Sequence, residues 1–178
     1  MSTNESFDLT DVDHLTVGTI GPVGQRIFLL QARAGPELVT VKMEKQQVSA
    51  LSQYLGQVLA DLPRPGDLPG DLDLQEPAEP KWVVGVLGVT YDDATDRVVL
   101  VAQEVTAGDD ESDEADGDED EDHAVLRITA TREQVAALAI RGTALVEAGR
   151  PSCPLCGYPL DPSGHVCPRT NGHRAPTL

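Results

Sequence analysis

Between residues 14 and 62 the apolar positions recur first every second residue and then every third or fourth. Leu15, Val17 and Thr19 alternate with Thr16, Gly18 and Ile20; GPVGQ supplies turn residues, and Arg26 to Ala32 completes a hairpin. A second turn, AGPE, leads into a strand over Leu38 to Met43. From Glu44 the period becomes helical, with Val48, Leu51, Leu55, Val58 and Leu62 on one stripe, and Pro63 ends it. Residues 63–80 are rich in Pro, Gly and acid without a usable period, and read as a linker. The pattern then starts again. Trp82 to Tyr91 reads as a strand, Asp92 to Asp96 as a turn, Arg97 to Val105 and Ala124 to Ala130 as strands, and Thr131 to Ala148 as a helix opened by a Thr131/Gln134 capping box.

The order strand, strand, strand, helix therefore occurs twice, and the residues agree with it. Leu38, Val39, Val41, Gln47, Val48, Ala50 and Leu51 align without a gap on Val125, Leu126, Ile128, Gln134, Val135, Ala137 and Leu138. In the hairpins, Gly18 and Gly21 are set against Gly85 and Gly88, and RIFLL against RVVLV, which puts Arg26 and Arg97 at matching places. The expected fold is α+β: two βββα repeats, about 14–62 and 81–148, packed as one pseudo-symmetric body over residues 1–148, followed by a small zinc knuckle over 149–178. Two arginines near a pseudo-twofold axis would suit a small phosphorylated ligand between the repeats. Gly18, Gly21 and Gly24 lie on a strand and hairpin rather than opening a helix, so they read as turn and bulge glycines, not a phosphate loop. His14, beside Asp11 and Asp13, reads as a polar strand start rather than an acid/base pair.

Charge narrows the partners. Thirty acidic against 13 basic residues give a formal net charge of −17, which repels nucleic acid and anionic membrane, and aromatics at 3% cannot build a base-stacking surface. Residues 109–122 hold eleven acids and no base, so removing them would change the charge from −17 to −6. That block, within an insert spanning 106–123, has nothing apolar to offset its self-repulsion and is expected to be disordered. No apolar run reaches the length of a membrane span, and the first residues lack a signal-peptide pattern, so the expected location is the cytoplasm.

The tail GRPSCPLCGYPLDPSGHVCPRTNGHRAPTL holds all three cysteines. In CPLCG the two-residue spacing aims the thiolates of Cys153 and Cys156 at one ion, and Gly157 can take the positive φ that opens backbone N–H groups toward sulfur. Cys167 is the third candidate ligand, and His165 and His173 compete for the fourth position. Pro168 after Cys167 and Gly172 before His173 repeat the turn chemistry of the first half-site, which favours the set Cys153, Cys156, Cys167 and His173 around a structural Zn2+. A redox CxxC would open a helix, whereas this one runs into Gly157, Pro159, Asp161 and Pro162. Arg150, Arg169 and Arg174 against Asp161 make the tail weakly basic, as a solvated face often is. Elsewhere GxSxG, Walker and HExxH motifs are all absent.

The duplicated unit, the helix starts and the ending CPLCGYPLDPSGHVCPRTNGH together resemble an actinobacterial repeat-protein family classed as a domain of unknown function. That resemblance implies partners: genes of the family tend to lie beside those of a phosphoglycerate-mutase-like (phosphomutase-like) protein and a lipid-kinase-like protein. The reading is a non-enzymatic binding or adaptor module acting with protein partners; its alternative is an enzyme or phosphorylated-ligand binder with a pocket near Arg26 and Arg97. Deleting residues 109–122 is expected to leave the melting temperature within a few degrees of wild type in a calorimetric scan, because the block carries nothing with which to form a core.

Overall fold

The computed structural model describes residues 5–22, 24–105, 123–149, 153–158, 160 and 165–170. Over these residues the fold is α+β, with two sheets and two α-helices. In chain order the elements are β1 (Phe7–Leu9), β2 (His14–Ile20), β3 (Ile27–Ala34), β4 (Glu37–Met43), α1 (Lys45–Ala60), β5 (Val84–Asp92), β6 (Arg97–Glu104), β7 (Val125–Ala130) and α2 (Arg132–Glu147), with a 3-10 turn at Pro168–Thr170. One sheet is the antiparallel meander β2-β3-β4; the other has the order β1-β7-β6-β5, antiparallel except that β1 joins β7 in parallel. A three-residue strand such as β1 carries no periodicity, which is why the sequence pattern does not reveal it. The acidic insert lies, except for His123, outside the described residues.

Each sheet turns one apolar face inward. Leu15, Val17, Phe28, Leu30, Ala32, Val39, Val41 and Met43 from the first meander share one buried cluster with Val98, Leu100, Ala102, Leu126, Ile128 and Ala130 from the second, and Val48, Leu55, Val135 and Leu138 from the helices complete it. The helices pack on each other, α2 also lies on β2, and α1 touches β5. They approach closely where Gly142 faces Ser52: a Cβ on Gly142 would sit 2.2 Å from the Ser52 hydroxyl oxygen.

The helix starts also reach across the body. At the head of α1 the Gln47 side chain accepts from the Glu44 N–H (2.8 Å) and donates to the Val84 carbonyl (3.0 Å) at the start of β5. At the head of α2 Gln134 accepts from the Thr131 N–H (2.9 Å) and donates to the Val12 carbonyl (2.6 Å) just before β2. The lead-in segments behave alike: β1 runs parallel to β7, and Val83 bridges Lys42 of β4 in parallel.

The ladders correct the hairpin alignment by one residue. Phe28 stands opposite Met43 and Val98 opposite Ala130, so when the two helix starts are aligned Phe28 corresponds to Val98 and Leu30 to Leu100. Ile27, not Arg26, then matches Arg97. Gly18 pairs with Leu29 inside β2, whereas Gly85 sits at a β-bulge between Val84 and Val86, so those two do not correspond either.

Residues 63–80 do more than link. The outward face of the first meander carries His14, Thr16, Gln31 and Thr40, all buried, because this segment lies over them. Thr16 donates to the Leu72 carbonyl, His14 Nε2 is 3.0 Å from the Asp73 carbonyl oxygen, and Gln31 both donates to the Gln75 carbonyl (2.9 Å) and accepts from its N–H (2.7 Å). Leu74 packs over Gly18, where a Cβ would come within 2.5 Å of the leucine side chain. His14 is thus a structural residue under this strap. Asp13 is held below the usual carboxylate range chiefly by its hydrogen bond from Arg33 (2.7 Å), with the Gly35 N–H adding to the effect.

The glutamine bridges generate a stability prediction. Gln47→Ala and Gln134→Ala should each lower the unfolding free energy by about 1–2 kcal/mol in urea titrations, since each strands a carbonyl and an amide, while Gln57→Ala on the exposed face of α1 should leave the midpoint unchanged.

Candidate metal centre

Residues 153–158 fold back on themselves through the backbone. The Gly157 N–H donates to the Cys153 carbonyl (2.8 Å) and the Cys153 N–H to the Tyr158 carbonyl (2.8 Å), so Cys153–Tyr158 forms a closed loop. Gly157 makes this possible by adopting φ +77°; a Cβ there would meet no atom within 4 Å, so the requirement is conformational and not one of space. Proline at 154 suits the start of such a turn, where φ near −65° is needed.

This loop and residues 165–167, just before the 3-10 turn, bring four donors together. One ligand atom each from Cys153, Cys156, His165 and Cys167 lies within 4.8 Å of the others. Cys153 Sγ is 3.9 Å from Cys167 Sγ, and Cys156 Sγ is 3.8 Å from His165 Nε2. A tetrahedral ion with metal–sulfur bonds near 2.3 Å separates its sulfurs by about 3.8 Å, which the Cys153–Cys167 spacing matches, and the whole donor set lies within 4.8 Å. Cys153 and Cys167 are buried, and Cys156 and His165 are half-buried.

The electrostatics suit a cation. Burial opposes ionisation of Cys153, but the Cys156 and Leu155 N–H groups and the His165 and Cys156 side chains outweigh it and bring the thiol down to about 6. Cys156 moves the other way: burial raises it, and the neighbouring Cys167 and Cys153 sulfurs add to that against the Tyr158 N–H. The Cys153 thiolate is therefore favoured without a metal and the Cys156 thiolate is not, a difference that a divalent ion bound by both would remove.

Of the residues expected from spacing, Cys153, Cys156 and Cys167 are brought together; His165, the competing histidine, joins them, and His173 lies outside the described residues. The arginines expected to share a pocket do not. Arg26 Nη1 donates to the Ala148 carbonyl at the end of α2 (3.3 Å), whereas Arg97 folds over its own turn onto the Thr95 and Asp96 carbonyls. Among the described residues no helix is long and apolar enough to cross a membrane.

Compared with known families, the chain matches over residues 7–167 the one described as Protein of unknown function (DUF3090), a stretch that includes all four clustered donors. Neither the curated proteins nor the solved structures give a match.

Gly157→Ala should weaken Zn2+ or Co2+ binding about 5- to 30-fold in chelator competition, because forcing a β-carbon into a left-handed conformation costs about 1–2 kcal/mol. The urea midpoint of the β-sheet body should not move.

Proposed function

The chain belongs to this DUF3090 family of unknown function, and from that premise we propose that it is a zinc-stabilised, non-enzymatic binding module of the cytoplasm whose tail is folded by the metal. The observation that carries the reading is the Cys153, Cys156, His165, Cys167 cluster. Four protein donors fill a tetrahedral shell and leave no position for a reactive water, so the ion would serve structure and not catalysis. Three thiols and an imidazole favour zinc over magnesium or calcium, which select oxygen donors. A tail of about 30 residues has too little apolar surface to fold alone, and structural zinc supplies about 10–16 kcal/mol in comparable finger peptides.

The fourth ligand is assigned to His165, because it stands beside the sulfurs. His173, favoured by turn chemistry, is the competing assignment. The body is read as a duplicated βββα unit. Support comes from the same order of elements on both sides, the gapless strand-to-helix alignment, and the matching placement of Gln47 and Gln134. A duplicated scaffold with a metal-folded appendage suits a protein that docks others. The phosphomutase-like and lipid-kinase-like proteins implied by the family resemblance are the proposed class of partner.

The test is metal analysis of protein purified without chelators. One zinc per chain is expected; Cys167→Ser and His165→Ala should lose it and His173→Ala should retain it. Zinc retained by His165→Ala and lost by His173→Ala would reassign the fourth ligand, and metal-free wild type would end the zinc reading.

A further inference from the structure

A cavity of about 490 Å3 opens where the end of β4 and the head of α1 meet the beginning of β3 and the last turn of α2. That volume lies within the range of small-molecule sites. Its wall is apolar, with Phe28, Met43 and Leu145, and its cations are Arg26, Lys42 and Lys45.

None of these three cations takes part in the ion pairs found among the described residues, which use Arg33, Lys81, Arg132 and Arg141 instead. The lone carboxylate of the lining, Glu44, opens α1 in a capping box, its side chain turned to the backbone of Gln47. Three cations against one carboxylate leave two positive charges facing the cavity, in a chain whose net charge is −17.

The matching place in the second half shows how such cations are normally neutralised. Arg132, like Lys45 the first residue of its helix, binds Asp96 in two contacts of 2.9 and 3.1 Å and donates to the Pro63 carbonyl at the start of the strap. There the partners come from the chain itself. In the first half Gly24, at φ +92°, turns the hairpin along the rim; Arg26 gives one N–H to the Ala148 carbonyl (3.3 Å), and neither it nor Lys42 or Lys45 meets a carboxylate in an ion pair among the described residues.

We propose that this cavity binds a small phosphate monoester with an apolar substituent: the dianion against Arg26, Lys42 and Lys45, the substituent against Phe28, Met43 and Leu145. Arginine offers a planar fork for two phosphate oxygens and each lysine a point charge, which together match a dianion better than a monocarboxylate. The proposal does not use Arg97 and is independent of the metal and of the partner-docking reading.

Phenyl phosphate is a suitable probe, titrated into the full-length protein by calorimetry beside inorganic phosphate and phenol. Expected is saturable binding of one phenyl phosphate per chain, at least tenfold tighter than inorganic phosphate, with no binding of phenol. The Arg26→Gln/Lys42→Gln double variant should weaken it at least tenfold, while Arg97→Gln, a charge change outside the cavity, leaves it unaltered. Unchanged melting temperature and metal content would show that the double variant is folded; if it is not, Lys45→Gln on the exposed rim replaces it, with a threefold or greater loss expected. Absence of saturable binding, equal affinity for inorganic phosphate, or equal weakening by Arg97→Gln would overturn the proposal.

Discussion

Neither helix of this protein can be buried by its own strands alone. Each half is a three-stranded meander followed by one helix, and a single helix on a small sheet leaves apolar surface on both. The solution is exchange: α2 lies on β2, α1 touches β5, and the two helices close on each other at Gly142 and Ser52. Gln47 and Gln134 tie this exchange to the backbone, since each caps its own helix with the oxygen of its amide and, with the nitrogen, holds the other half at the start of β5 (Val84) or just before β2 (Val12). One side chain thereby satisfies an orphan helix N–H and a carbonyl beyond the sheet ladder. The same two side chains thus serve both the helix starts and the contact between the halves.

That coupling explains which parts could be read in the sequence. Strand alternation and helical stripes follow from burial on one face, so the strands and helices of both halves were legible to within one or two residues, as was the Thr131 and Gln134 capping box. The strap over residues 63–80 was not, because it is held mostly through backbone carbonyls and N–H groups that leave no pattern in side chains. A hint did exist in Thr16, Gln31 and Thr40, whose polar alternation marks an outward face; only a structure shows that this face is covered. The hairpin alignment failed by one residue because it matched two arginines. Matching the inward residues Phe28, Leu30 and Ala32 to Val98, Leu100 and Ala102 would have given the register of the ladders.

The metal centre divides in the same way. CPLCG was readable because a short loop with glycine at a fixed offset is a local device, and the Gly157 conformation follows from it. The position of His165 among the sulfurs was not readable, since spacing along the chain does not fix where a side chain falls in space. His165 lies two residues before Cys167 in sequence, and nothing in that spacing says on which side of the sulfurs its imidazole falls; the structure puts its Nε2 beside Cys156.

Charge completes the argument. A net −17 and a cationic cavity are compatible because they act over different distances. At physiological ionic strength exposed charges are screened beyond about 8 Å, so the field inside a recess is set by the groups that line it more than by the net charge of the whole chain. A polyanion must lay many charges against the acidic surface at once and is repelled at most of them. A small dianion presents its charge at one place only, where Arg26, Lys42 and Lys45 outnumber Glu44. On the proposed reading, charge then discriminates by size: an acidic composition disfavours extended anions, while the cavity's local excess of positive charge suits a compact one.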